Sequence, residues 1–248
     1  MINCIRASIY KMFHDRKIVL CFLGTALWTL TVIVVYYVFK SSIGMDVSQL
    51  TPILDTFLAG HPIELPLILT CSILFSSEFR DRSWTMLLTK GISKKEYYFA
   101  KFTCAVLLAA SFTLISFIVV VPADILISRG GAVSPGYFWE LGAFIVGQIL
   151  ANAVIASFML CTIIICKRGE VPATVNAVFM VMGYPLMHKV EQALGLGETL
   201  TNYWIYSLQY HVNPGMPHQW GVLLVSFVLY LILFSLISLC FLYKRDAE

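Results

Sequence analysis

A few polar side chains lie within the long apolar stretches of this chain. His61 and Glu64 lie one turn apart in one stretch, and Gln148 and Asn152 lie one turn apart in another. Polar and ionisable groups are costly within a membrane and are therefore commonly functional, so these four residues are candidates for lining a translocation path. The alternatives are an interfacial hydrogen-bonding role for the first pair and helix–helix contacts for the second.

The second concentration of chemistry is a charged segment, residues 78–101. It holds nine of the 31 Asp, Glu, Lys and Arg residues of the chain and separates two apolar runs. Ser83 is suited to cap a short helix, Gly91 to end it in a left-handed conformation, and Ser93 with Glu96 to form a capping box. The short helix would carry Trp84, Leu87 and Leu88 on one face, which is typical of a docking surface.

Catalytic and metal-binding signatures are missing from the sequence. There is no HExxH, no GxSxG and no Asp pair within the apolar runs, which argues against a membrane-embedded protease or lipid transferase. His211 and His218 lack further metal ligands. None of the fifteen glycines begins the GxxxxGK[ST] pattern of an ATP-binding P-loop. The seven cysteines fall mostly within apolar runs, where we expect them to pack rather than form disulfides. We expect no cofactor in this chain.

Composition places the chain among membrane proteins. Of its 248 residues, 59% are hydrophobic and 12% are charged, and the mean hydropathy is +0.82. Soluble domains are roughly a quarter charged, so this chain could not cover a water-exposed surface of its size. The small net charge of +3 gives no indication of nucleic-acid binding.

Six apolar stretches are long enough to cross a bilayer as helices, so we predict an all-α, single-domain membrane protein. Lys and Arg alternate between the connecting segments: 14 of 17 fall on one side and 3 on the other, which predicts that both termini are cytoplasmic. Residues 1–16 have helical amphipathic spacing and should lie on the inner leaflet. Residues 188–218 are long for a connection and predict a short helical or re-entrant element on the outer side. The predicted spans are about 18–39, 57–77, 102–127, 141–166, 171–187 and 219–243.

The charged segment resembles the cytoplasmic loop of bacterial ABC-transporter permeases of the type-2 export class. The similarity lies in Glu78-Phe79-Arg80-Asp81-Arg82-Ser83-Trp84-Thr85, followed by Lys90-Gly91-Ile92-Ser93-Lys94 and by Lys101. Ser83-Trp84-Thr85 departs from the Gly-Thr that is more usual there. The six predicted spans and the amphipathic N-terminus also fit this family.

The resemblance implies a transmembrane subunit that pairs with a second copy or a related permease. Two separate ATPase subunits would bind ATP and Mg, and residues 78–101 would hold the coupling helix that receives their closure. Glu78 and Arg80 would then face the ATPase, with Trp84, Leu87 and Leu88 as the apolar contact. The alternative is that these charges form a solvated loop that only sets orientation.

The resemblance does not identify the substrate. Short outer connections favour an amphiphile taken from the cytoplasm or inner leaflet, and we expect a hydrophobic, antimicrobial or toxin peptide. An ion-coupled secondary carrier is the alternative function, but it would predict inverted repeats with broken helices at matching positions. No such repeat is evident in the sequence.

Overall fold

The computed structural model describes residues 2–43, 63–81, 83–127, 137–167, 170–195, 199–212 and 220–244. This part of the chain is helical and contains no strand, so the predicted all-α class is confirmed for it. The helices are α1 (Ile2–His14), α2 (Arg16–Ile43), α3 (Glu64–Arg80), α4 (Ser83–Thr89), α5 (Lys94–Ile127), α6 (Tyr137–Cys166), α7 (Glu170–Leu194), α8 (Thr199–Asn202) and α9 (Trp220–Lys244), with a 3₁₀ turn at Leu208–His211 before α9.

Four of the described helices are long and apolar enough to cross a membrane. They are α2, α5, α6 and α9, with the apolar stretches Arg16–Val35, Lys94–Ala123, Leu141–Cys166 and Trp220–Lys244. The chain is therefore a multi-pass membrane protein. The remaining two predicted spans overlap α3 and α7, whereas residues 57–62 of the second span lie outside the described part. The count of six spans stays a prediction.

Helix α7 is longer than its predicted span of 171–187. It continues through Gly183 and Pro185 to Leu194, seven residues beyond the predicted end of the span. A proline inside a helix removes one backbone hydrogen bond but does not always end the helix. The outer connection correspondingly begins later than position 188.

Helix α6 is the centre of the bundle and contacts α3, α5, α7 and α9. In its most apolar part 67% of the residues are buried, against 22% in α2 and in α9. Ala151, Ala153 and Ala156 are buried on it, and small residues let neighbouring helices approach closely. The outer faces of α2 and α9 carry exposed side chains such as Leu27 and Leu229, which suits contact with lipid rather than water.

One end of the bundle collects the N-terminal helix, the charged segment and the end of α9. Lys11 on α1 donates a hydrogen bond of 2.6 Å to the Ser77 hydroxyl on α3. Lys94, at the start of α5, donates one of 2.6 Å to the carbonyl oxygen of Leu242 in the last turn of α9. A cation at the last carbonyls of a helix is favourable for the helix dipole. We call this end of the bundle the coupling end.

Candidate functional site

Helix α4 has the local structure that its sequence predicts. The backbone N–H of Ile92 bonds to the carbonyl of Leu87 at 3.3 Å, and that of Gly91 bonds to the carbonyl of Leu88 at 3.0 Å. These two bonds form the C-terminal motif in which a residue with positive φ reverses the chain, and Gly91 has φ 85°. Glycine adopts this conformation without steric cost, so α4 ends where the turn signal predicts.

The capping box at the start of α5 is also present. The backbone N–H of Glu96 donates to the hydroxyl of Ser93 at 3.2 Å, and the backbone N–H of Ser93 donates to Glu96 Oε2 at 3.1 Å. The box begins a continuous helix at Lys94, about two turns before the predicted third span. The coupling loop predicted as 78–101 is therefore the last turn of α3, the short helix α4, a tight turn, and the first two turns of α5.

The two faces of α4 have different surroundings. The ring of Trp84 packs against that of Phe79 on α3, with centroids 5.7 Å apart; Phe79 belongs to the apolar core, and Trp84 is partly buried against it. Leu87 and Leu88 are half-buried, whereas Met86 is 64% exposed. Trp84 thus anchors α4 to the bundle, and Met86 is its most exposed apolar side chain. Among the docking candidates, sequence reasoning missed Met86, which lies off the stripe formed by Trp84, Leu87 and Leu88.

Glu78 lies inside the coupling end. Its Oε1 pairs with Lys101 Nζ on α5 at 2.5 Å, with the two side chains 12% and 4% exposed respectively. Its Oε2 accepts a hydrogen bond of 3.0 Å from the hydroxyl of Tyr97, and Lys101 also donates to the hydroxyl of Ser8 on α1 at 2.7 Å. Glu78 therefore ties α3 to α5, and through Lys101 to α1. This placement favours a positioning role for Glu78 over direct contact with a partner.

Arg80, unlike Glu78, faces outward. Its side chain is 80% exposed and its Nε lies 3.4 Å from Oδ1 of Asp81, which is 61% exposed. Exposed pairs of this kind contribute little to stability, so the guanidinium is accessible to another molecule.

The described candidates for a translocation path are buried between helices. Gln148 donates from Nε2 to the backbone carbonyl of Gln209 at 2.9 Å, and Asn152 donates from Nδ2 to the hydroxyl of Thr113 at 3.1 Å. Glu64 is 1% exposed and accepts a hydrogen bond from the side chain of Gln209. The fourth candidate, His61, lies outside the described residues. These contacts favour the helix-joining role for Gln148 and Asn152.

The side-chain amides of Gln148 and Asn152 each have an oxygen atom that accepts no hydrogen bond. Within the described residues, Gln148 Oε1 and Asn152 Oδ1 have no hydrogen-bond partner although both atoms are buried. A buried acceptor without a donor is costly, so each oxygen is a place where a water molecule or a polar group of a substrate would be stabilised.

Residues 199–212, which we call the re-entrant segment, fold back into the bundle. The backbone N–H of Thr201 bonds to Glu191 Oε1 near the end of α7 at 2.7 Å. The hydroxyl of Tyr206 donates to Asn176 Oδ1 at 3.0 Å, and Asn176 is only six residues, about 9 Å, from the first residue of α7. The segment then returns, because Gln209 contacts Gln148 and Glu64. It reaches deep between the helices from the end opposite α4.

A family model described as ABC-2 family transporter protein matches residues 5–184. This is 180 of the 248 residues and includes the whole charged segment. The chain belongs to the ABC-2 transporter family. A search of curated proteins finds no match.

As a member of the ABC-2 transporter family, the chain is a transmembrane transport subunit. The family implies association with ABC ATPase subunits. Within the described residues there is no group of three His, Cys, Asp or Glu side chains that could hold a metal ion. The expectation that ATP and Mg bind to a separate subunit remains a prediction.

Proposed function

We propose that the chain is the permease subunit of an ATP-driven exporter in a bacterial cell membrane, with both termini in the cytoplasm. The observation that carries the proposal is α4 itself. This short helix is anchored by Trp84 on one face and exposes Met86 on another, in a chain of the ABC-2 family. Alternation of basic residues between the segments supports a cytoplasmic position for this end.

The proposed docking face consists of Arg80, Met86, Leu87 and Leu88. The half-buried leucines and the exposed methionine supply apolar area, and Arg80 supplies an accessible charge at its edge. Methionine adapts its shape to a partner groove because it is unbranched and polarisable. The docking face would fit a groove on an ABC ATPase subunit.

Movement of the docking face would be passed to the spans through the Glu78–Lys101 pair. Trp84 packs α4 against Phe79 of α3, and the pair joins α3 to α5, so a displacement of α4 would be passed to both helices. Closure of the ATPase subunits on ATP and Mg would therefore tilt α3 and α5 as a unit between two packings.

The proposed assembly contains two ATPase subunits and two permeases, the second being another copy of this chain or a related one. Exposed apolar side chains such as Val178, Val181 and Met182 on α7 are available for contact with lipid or with the second permease. The proposed cargo is an amphiphile, with a hydrophobic, antimicrobial or toxin peptide as the best candidate. Stimulation of the ATPase activity of the reconstituted complex by peptides, but not by drugs or lipids, would support this choice.

A photo-crosslinking experiment tests the docking face. A photoreactive amino acid replaces Met86 in cells that produce the whole complex, and irradiated products are identified by mass spectrometry. Met182 on α7 is the matched control, since it is also a methionine and is 60% exposed, compared with 64% for Met86.

We expect the Met86 position to crosslink to a protein that contains the P-loop pattern GxxxxGK[ST], and the Met182 position to crosslink to lipid or to a permease. Equal capture of the P-loop protein by both positions would refute the docking face. Capture of no P-loop protein by Met86, with the complex intact, would refute it as well. A chain that drives transport without any ATPase would favour the ion-coupled carrier.

A further inference from the structure

A cavity of about 630 Å³ opens at the coupling end and shares Arg80 with the docking face. It lies between the turn that joins α1 to α2, the second half of α3, the end of α6 at Lys167 and the start of α7 at Glu170. Three cations (Lys17, Arg80 and Lys167), two carboxylates (Asp15 and Glu170) and serines of α3 line it.

The two carboxylates have local roles at the starts of helices. Asp15 Oδ1 accepts a hydrogen bond of 2.9 Å from the backbone N–H of Lys17, in the first turn of α2. Glu170 is the first residue of α7, where a negative charge is stabilised by the helix dipole. Among the described residues, including Asp15 and Glu170, no carboxylate oxygen lies within 4 Å of the ammonium group of Lys17 or Lys167. The cavity therefore offers more positive than negative charge to a ligand.

Lys167 has a strained backbone conformation. It has φ 59°, the left-handed conformation, and its N–H bonds to the carbonyl of Ile163 at 2.8 Å to end α6. For a residue with a side chain this conformation is strained, whereas a glycine adopts it without strain. The residue with this strained backbone is thus also one of the cations that line the cavity.

Exposed apolar side chains lie next to the charged cavity along α2, α3 and α7. Leu20 is one turn beyond Lys17 on α2 and is 65% exposed. Leu69 on α3 and Val171 on α7 are also exposed, at 52% and 48%. A ligand in the cavity would consequently meet cations at one end and apolar helix faces at the other.

We propose that this cavity binds the phosphate group of an anionic phospholipid, whose acyl chains lie along the exposed faces of α2, α3 and α7. Basic pockets between helices at a membrane surface are suited to phospholipid headgroups, and charge-assisted hydrogen bonds from Lys and Arg hold the phosphate oxygens. The apolar flank is what favours a lipid over free phosphate. The site does not depend on the identity of the cargo, and it shares Arg80 with the docking face.

Native mass spectrometry of the purified full-length protein tests the site. The protein is titrated with phosphatidylglycerol and, separately, with phosphatidylcholine. The variant K17Q/K167Q removes two cations of the cavity and leaves Arg80 for the docking face. The matched control is K90Q/K95Q, which removes two exposed lysines at the same end of the bundle but outside the cavity.

We expect the wild type to prefer phosphatidylglycerol, and K17Q/K167Q to bind it about thirtyfold more weakly, from the loss of two lysine contacts. K90Q/K95Q should bind it as the wild type does. A second cavity variant, S76F, should also weaken binding with all cations intact, because the ring fills the space. Each variant is first checked for native helix content by circular dichroism.

Three results would overturn the site. An equal loss in K90Q/K95Q would show general attraction to surface charge. Displacement of the lipid by millimolar inorganic phosphate would assign the cavity to a soluble anion. Unchanged lipid binding in K17Q/K167Q would show that these lysines do not hold the phosphate group.

Discussion

Separate removal of each partner of the Glu78–Lys101 pair should destabilise the protein strongly. Lys101→Met leaves a carboxylate that is 12% exposed with its hydrogen bond from Tyr97, and Glu78→Leu leaves an ammonium that is 4% exposed with the hydroxyl of Ser8. Loss of one partner of a buried pair costs about 3–5 kcal/mol, because the other charge stays desolvated. Replacement of both by apolar side chains is often close to neutral. The double variant should therefore be more stable than either single one.

The measurement is a double-mutant cycle on the free energy of unfolding. The protein in mixed micelles is titrated with sodium dodecyl sulfate, and the loss of helix is followed by circular dichroism. We expect a coupling energy of at least about 2 kcal/mol between the two substitutions. Asp81→Asn is the control, because it removes a carboxylate from the neighbouring exposed pair with Arg80 and should leave the stability nearly unchanged.

Additive effects of Glu78→Leu and Lys101→Met, each as small as that of Asp81→Asn, would refute the desolvated pair. Glu78 would then be free to act as a docking charge, as the sequence alone suggests. In that case Glu78→Leu should lower recruitment of the ATPase subunit without a change in the stability of the permease. The two readouts together separate a positioning role from a contact role.

Two further predictions concern the re-entrant segment. In Gly183→Ala the new Cβ would lie 2.5–2.7 Å from atoms of the Trp204 indole. We therefore expect the free energy of unfolding to fall by about 1–3 kcal/mol and the tryptophan emission spectrum to change. The control is Gly142→Ala, whose Cβ would have no atom within 4 Å and should not destabilise the protein. Tyr206→Phe removes the hydroxyl bonded to Asn176 Oδ1 and should cost about 1–3 kcal/mol in the same unfolding titration, and an unchanged midpoint would contradict that bond.

Short-range signals predicted the local structure of the coupling end well. Gly91 ends α4 and the Ser93–Glu96 capping box begins α5, and each of these features is decided by residues within a few positions of one another. The continuous apolar runs likewise predicted long helices, since an uninterrupted run of this length satisfies its backbone only as a helix in a membrane.

Contacts between residues that are distant in the chain could not be predicted from the sequence. The spacing of Trp84, Leu87 and Leu88 shows that they share a face of α4, but not that Phe79 covers Trp84. The charge of Glu78 gives no indication that Lys101, 23 residues later, neutralises it. Such pairings are set by tertiary packing. From the sequence alone, the charge of Glu78 in a polar segment therefore predicts contact with a partner.

Helix α3 joins the polar contacts at the two ends of the bundle. Glu64, bonded to Gln209 of the re-entrant segment, lies 14 residues, or about 21 Å, before Glu78, which is paired with Lys101. Both contacts are buried, so the opening of either one costs free energy. A tilt of α3 imposed at the coupling end would therefore have to move the re-entrant segment with it. Under the proposed function, this is how force applied at α4 would reach the opposite end of the bundle.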